Sequence, residues 1–352
     1  MRAAYFRGDG LIQFTEVPTP HPGPGQVLIR VAANGVCGSD HKALEGGHKT
    51  IPGHEVAGTV AEVGADCGAV GSRTLAVGTR VAAYIPLHCG ECVYCQRGAG
   101  NLCPHKKGLL GWSTDGGYAE YMLLPARNAL PLAEDVTFGE GVLLLDTLGT
   151  SGHALRLARC WEAESVLVIG AGPIGAGAVA MLGALVKTKG SPPSKVQCFV
   201  SEPSPYRREQ AAALSTSSVA VTAVDPRAED LEAAIRARYP YGVDLVVEAV
   251  GSWPTIVQSL DLVRPGGAVC LVGEHWGKIE LDRPKGSWMI NDLTLIRSFY
   301  FTLPEFEENQ QMIVDGRLDA APLASHTFRL DQLRAAYDLF GAGGALKVLV
   351  EP

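Results

Sequence analysis

Long apolar runs are missing from this chain of 352 residues: no stretch reaches the roughly 20 apolar residues that a membrane span needs. Its start, MRAAYFRGDGLIQFTEV, has no apolar core of signal-peptide length, so no membrane partner is expected and the chain reads as cytoplasmic. Runs of like charge are missing too. With 30 basic and 37 acidic residues the net charge is −7, and no five like charges are consecutive, which excludes the usual footprints for nucleic acid or an anionic membrane surface. The cysteines do not form a disulfide framework: nine in a long intracellular chain fit metal binding and buried thiols, and four of them are tightly clustered. What remains is ordinary globular usage, 47% hydrophobic and 19% charged, in a length that suggests about two domains.

Within that composition, GVCGSDHKALEGGHKTIPGHEVAG, residues 35–58, places Cys37, His54 and Glu55 within nineteen residues. A thiolate, an imidazole and a carboxylate suit Zn²⁺, and fewer than four permanent protein ligands leave a coordination position open for chemistry. A buried Cys beside a strand-capping Gly-His pair would look similar, so further support is needed from elsewhere in the chain. If a metal is present, Asp40 is placed to accept the spare N–H of His54. Ser39 is then placed to bond an alcohol at the metal and to pass its proton toward His41 or Lys42. Downstream, Asp146 lies between Leu145 and Leu148, where an acid needs a partner and a metal would be a good one. Trp112 is a candidate pocket wall or core aromatic.

The strongest metal motif is HCGECVYCQRGAGNLC, in which Cys89, Cys92, Cys95 and Cys103 follow the spacing C-x2-C-x2-C-x7-C. Four thiolates at such spacing close a tetrahedral shell and describe a structural zinc; an iron–sulfur cluster is the rival. Cys67, Cys160, Cys198 and Cys270 read as ordinary thiols.

Alternating apolar positions between Pro- and Gly-rich turns make the first part a loop-rich β domain, with VLIRVAANGV (27–36) its clearest strand. A helical period begins near Gly139. At ESVLVIGAGPIGAGAVAMLGALV a Val-rich strand runs into Gly170-x-Gly172-x-x-Gly175 and then a small-residue helix, so the turn that includes Pro173 and Ile174 is read as dinucleotide-binding. KVQCFVSE ends in Glu202, whose carboxylate suits ribose hydroxyls and favours NAD over NADP, although Arg207 and Arg208 follow closely. KTKGSPPSK between helix and strand is read as a surface loop. Beyond it come a helix at 227–239, the strand GVDLVVEAVG, a helix at 254–263, the turn RPGG, the strand AVCLVGE and a last strand at 291–301. The alternation predicts a parallel, doubly wound sheet. Helices at 304–316 and 330–340 and the strand ALKVLV are expected to return to the first domain.

GVCGSD, PGHEVAG, the four-Cys lobe, DGGYAEY, VLVIGAGPIG with Glu202, and the terminal LKVLV together resemble the zinc-dependent medium-chain dehydrogenase/reductase family over essentially the whole chain. The resemblance implies an α/β architecture: a GroES-like β-rich catalytic domain from 1–147 and 298–352, with a zinc lobe near 86–106, and a Rossmann domain from 148–297. It implies two Zn²⁺ per chain, one catalytic on Cys37 and His54 with Glu55 or Asp146, and one structural. It places Lys347 at the cofactor pyrophosphate and Arg207 along the adenosine ribose, and it implies a homodimer or homotetramer. An acid at 146 resembles the polyol, threonine, glucose and aminocyclitol branch. The expected activity is NAD-linked oxidation of a secondary alcohol on a polyhydroxylated small molecule such as a sugar, polyol, cyclitol or aminocyclitol. A threonine-type hydroxy amino acid dehydrogenase is the alternative; a zinc-free NADPH quinone or enoyl reductase and a non-catalytic nucleotide-binding protein are rivals of other classes.

Overall fold

The computed structural model describes residues 1–67, 69–70, 73–189, 195–274, 277–278 and 291–352. Two sheets carry the architecture. One has six parallel strands in the order Val219–Val224, Val196–Ser201, Ser165–Ile169, Val243–Glu248, Val263–Leu271 and Thr294–Arg297. Every residue of Ser165–Ile169 and of Val196–Ser201 is buried, because helices cover both faces of a parallel sheet. The order reverses at Ser165–Ile169, and beyond the carboxyl ends of the strands at such a reversal Rossmann sheets take ligands.

The other sheet has seven strands. Its path runs through Ala324–Arg329, Lys347–Glu351, Gln26–Gly35, Glu55–Val63, Arg80–Ala83 and Ala129–Pro131, with Tyr121–Pro125 also pairing Gln26–Gly35. The carboxy-terminal strand does return, with Leu349 opposite Gly35. The resulting fold is the expected pairing of a GroES-like β-rich part with a Rossmann sheet.

Three local readings change. The helical stretch after Gly139 is broken: Phe138–Leu143, started by a Thr137–Glu140 capping box, stops, Leu145 takes φ −79° and ψ −109°, and Asp146–Thr150 forms a π turn before Ser151–Leu157 resumes. The RPGG turn lies inside the strand Val263–Leu271. Only Thr294–Arg297 of the last predicted strand is extended, because Phe301 leaves the sheet for the core and the chain crosses over at Tyr300 with φ +48°. Of the KTKGSPPSK loop, residues 190–194 lie outside the described residues, as does His275, a residue that with Glu274 would lend polarity to a substrate pocket.

Candidate metal centre and cofactor cleft

Cys37 follows the strand Gln26–Gly35, Glu55 opens the strand paired with it, and Asp146 sits on the π turn. One donor atom from each of Cys37, His54, Glu55 and Asp146 falls within 4.8 Å of the others. Glu55 is fully buried and Asp146 nearly so, yet Glu55 Oε2 and Asp146 Oδ1 have no hydrogen-bond partner. Unsatisfied carboxylate oxygens are costly in such a place, and a cation satisfies them. Asp146 Oδ2 stands 3.4 Å from His54 Nε2. That is close to the ~3.3 Å between two ligands of one tetrahedral Zn²⁺ with bonds near 2.0–2.1 Å. The donor set therefore fits zinc.

Around it the polar contacts are ordered. Asp40 Oδ1 lies 3.2 Å from His54 Nδ1, and Tyr337 donates its hydroxyl to Asp40 Oδ2 at 3.0 Å. Tyr337 and Tyr118 share a hydroxyl–hydroxyl bond of 2.9 Å. Burial works to lower the His54 pKa, but Asp40, Cys37 and Asp146 outweigh it and hold it well above the ordinary value. Ser39 Oγ donates to Cys37 Sγ at 3.3 Å. His41 packs edge-on against Tyr337 and stacks on Phe340, whereas Lys42 Nζ is more exposed and lies 3.8 Å from Glu274 across the cleft. The Trp112 ring is 6.3 Å from the His54 ring, so it lines the metal site.

Lys347 is not out in the cleft. Its side chain is buried, with Nζ 2.6 Å from Glu55 Oε1 and 3.1 Å from the Val36 carbonyl. Burial pulls its pKa down, and the Glu55, Cys37 and Asp146 charges more than reverse this, leaving it raised.

The four-Cys lobe is simpler. Its sulfurs stand 3.5–3.8 Å apart along Cys89–Cys103, Cys103–Cys92, Cys92–Cys95 and Cys95–Cys89. Zn–S bonds near 2.3 Å in a tetrahedron require about 3.8 Å. Backbone N–H groups of Glu91 and Cys92 point at Cys89 Sγ and bring its pKa down to about 6. The lobe also grips the crossover: Asn101 donates to the Phe299 carbonyl at 2.9 Å, Leu303 N–H donates to the Gly98 carbonyl at 2.8 Å, and Lys106 sits over the Phe299 ring.

At the glycine turn, Gly170 has φ +89°, and a Cβ on Gly175 would lie 1.8 Å from the Gly170 carbonyl oxygen, so neither position admits a side chain. Space at Gly172 is open, with Arg207 4.0 Å away. Pro173 starts the helix Pro173–Lys189, and the Ile174 carbonyl accepts from Ser151 Oγ at 2.7 Å, tying this turn to the helix after Asp146. Glu202 ends beside the turn: Oε2 accepts from Ala171 N–H at 2.7 Å and Oε1 from Ser204 N–H at 2.8 Å. Arg207 reaches the carbonyls of Phe340 and Ala345, both at 2.9 Å, and Arg208 those of Glu202 and Pro203.

Sequence reasoning missed Tyr300, Tyr118 and Tyr337. Burial and then the Asp146 charge push the Tyr300 phenol well above its ordinary pKa, so it lies within electrostatic reach of the cluster. It had been absorbed into a strand, and only its neighbour Phe301, buried against the π turn, hints that the strand must end. Tyr118 sits in DGGYAEY, which served as a family mark without a role.

The comparisons agree with this fold. Residues 23–134 match the alcohol dehydrogenase GroES-like domain, and residues 194–315 match the zinc-binding dehydrogenase domain. The L-galactonate-5-dehydrogenase of Escherichia coli K12 is 30% identical over 325 residues, covering 91% of this chain and 89% of that protein. The L-threonine 3-dehydrogenase of Pyrococcus abyssi is 32% identical, covering 96% and 94%. A Sinorhizobium meliloti 1021 protein described as a zinc-binding dehydrogenase and solved with NADP bound superposes with a TM-score of 0.83 at 28% identity, covering 100% of this chain and 99% of that one. The chain belongs to the zinc-dependent medium-chain dehydrogenase/reductase family, oxidoreductases acting on CH–OH groups.

Proposed function

We propose that this protein oxidises a secondary alcohol of a polyhydroxylated small molecule (a sugar, polyol, cyclitol or amino-substituted relative) to a ketone, with NAD as hydride acceptor. The buried cluster of Cys37, His54, Glu55 and Asp146, with its orphaned carboxylate oxygens, carries the reading. When bound there, zinc supplies the Lewis acidity that makes an alcohol acidic near neutral pH. Cys103 with Cys89, Cys92 and Cys95 would hold a second, structural ion.

The side chains do the rest. Ser39 Oγ takes the hydroxyl proton and passes it outward, with His41 and Lys42 next along the helix Asp40–Gly46. Asp40 keeps the His54 proton on Nδ1, so that Nε2 is the nitrogen left for ligation. Trp112 and Tyr300 wall the substrate, and the Gly170–Gly175 turn offers its backbone to the pyrophosphate at a helix start. NAD is supported by the carboxylate of Glu202 and by the neighbouring guanidiniums: Arg207 and Arg208 are committed to backbone carbonyls, and Arg208 also pairs with Asp225 at 3.0 Å. A 2′-phosphate would have to break those bonds.

For the assembly we infer a homodimer or homotetramer. The edge strand Thr294–Arg297 has no second neighbour among the described residues, and Leu295 and Phe299 are each 38% exposed. We set the domain limits at 1–147 with 298–352 and at 148–297, a division supported by the separation of the strands into two sheets. No helix among the described residues is long and apolar enough to cross a membrane. The alternative substrate, a threonine-type hydroxy amino acid, is favoured by the 32% identity to an L-threonine 3-dehydrogenase.

The deciding experiment measures metal content on protein purified without added metal, beside NAD⁺ and NADP⁺ reduction with sugars, polyols, aminocyclitols and threonine. Two zinc ions and NAD-linked turnover of a polyol-like substrate are expected. Turnover of threonine alone would replace the substrate class, and a zinc-free protein reducing quinones or enoyl compounds with NADPH would overturn the whole reading.

A further inference from the structure

The Lys347–Glu55 pair sits inside the metal centre, yet the reaction scheme gives it no task. Strand pairing holds both partners: Gly35 lies opposite Glu55 on one side and opposite Leu349 on the other. Lys347 Nζ is anchored by the Val36 carbonyl at 3.1 Å, one residue before Cys37, and grips Glu55 Oε1 at 2.6 Å. Glu55 Oε2 is crowded toward Gly35, 2.7 Å from where a Cβ on that glycine would stand. One carboxylate oxygen is thus held by an ammonium, and the other, without a hydrogen-bond partner, fills the space left by a glycine. No ammonium holds Asp146, and its Oδ2 is already 3.4 Å from His54 Nε2.

Charge points the same way. A divalent ion with the Cys37 thiolate and the Asp146 carboxylate is neutral, and Glu55 with Lys347 is neutral. Were Glu55 to ligate as well, through Oε2, the ion would carry three anionic donors, and one carboxylate would divide its charge between that ion and an ammonium that is 1% exposed. Weakening a buried ion pair in this way is unfavourable.

We propose that Lys347 is a positioning residue of the metal centre: it holds Glu55 off the ion and thereby makes Asp146 the resting carboxylate ligand. This rests on reading the cluster as a zinc site. Removing the ammonium releases Glu55 onto the metal; removing the ammonium and the Glu55 charge together restores the original ligand set.

The test uses the full-length enzyme with cobalt in the Cys37 site, read by its visible absorption and by the rate of metal release to a chelator. With Lys347 intact, Asp146→Asn is expected to change the spectrum and speed release by roughly 10–100-fold. Lys347→Met is expected to shift the cobalt bands, Glu55→Gln/Lys347→Met to return them to the wild-type position, and Lys347→Arg to leave them there. A merely structural lysine would disturb both Met variants alike, and that result overturns the proposal. So does an Asp146→Asn protein that keeps the wild-type spectrum and release rate, a measurement that stands even if Lys347→Met fails to fold. If Cys37→Ser leaves the metal content unchanged, the metal centre itself is wrong and the proposal falls with it; if Cys37→Ser removes one ion but the Met variants behave alike, only the role of Lys347 falls.

Discussion

The two candidate metal clusters are built on opposite plans. In the lobe, four identical donors come from one short segment, with Cys89 and Cys103 fourteen positions apart, and the sulfurs of these two meet backbone N–H groups. In the centre, four different donors come from a loop after one strand, the head of another and a π turn, and the cation beside them arrives 292 positions after Glu55. A set of like thiolates from one segment is complete without the rest of the fold and leaves nothing to do but hold an ion. Mixed donors brought from distant segments are incomplete until the fold is formed, and their surplus acid, ordered histidine and neighbouring hydroxyls leave room for chemistry.

The comparison breaks most sharply at the centre. Cys37→Ser or His54→Ala should lower kcat/KM by roughly a thousandfold or more while one of two zinc ions stays bound; loss of both ions on metal analysis would show that the clusters are not independent. Cys103→Ser should do the reverse, losing the lobe ion and about 3 kcal/mol or more of stability while the catalytic ion remains, as read by denaturant unfolding and metal content. Asp40→Asn tests whether the centre needs its ordering shell: it should cost about 10–100-fold in activity or metal affinity, against less than threefold for Glu91→Gln beside the lobe.

The smallest effect lies at the helices that join the two parts. His153 Nδ1 meets both oxygens of Glu305, at 3.0 and 2.9 Å, across the crossover. Burial alone would raise the Glu305 pKa, but the His153 hydrogen bond and charge leave it below the ordinary 4.5. Its stabilisation is complete above pH 4.5 and fades as pH falls through the lower folded value, so Glu305→Gln should be about 1 kcal/mol less stable at pH 7 and should lose stability less steeply in acid, the two proteins converging at low pH. An unchanged acid limb would assign the pair no weight.

Legibility in the sequence followed the same division. Spacing alone exposed the lobe and the glycine turn, because their residues act on local backbone. Cys37, His54 and Glu55 were visible as donors, yet their convergence with Asp146 depends on a π turn that no periodicity announces. Tyr300 was hidden because SFYF reads as strand until the buried position of Phe301 forces the chain off the sheet. Lys347 was assigned to the pyrophosphate by resemblance, and only tertiary pairing reveals its contact with Glu55.

On the proposed reading, the grip of the lobe on Phe299 and Leu303 would give an ion that never meets substrate a say in which substrate is accepted. Those bonds fix both ends of the bend that carries Tyr300, whose phenol feels the charge of Asp146 in the proposed centre. With the lobe emptied, the chemistry would survive at the centre while its gatekeeper loosened, and the first sign would be fading discrimination among related alcohols rather than a slower best rate.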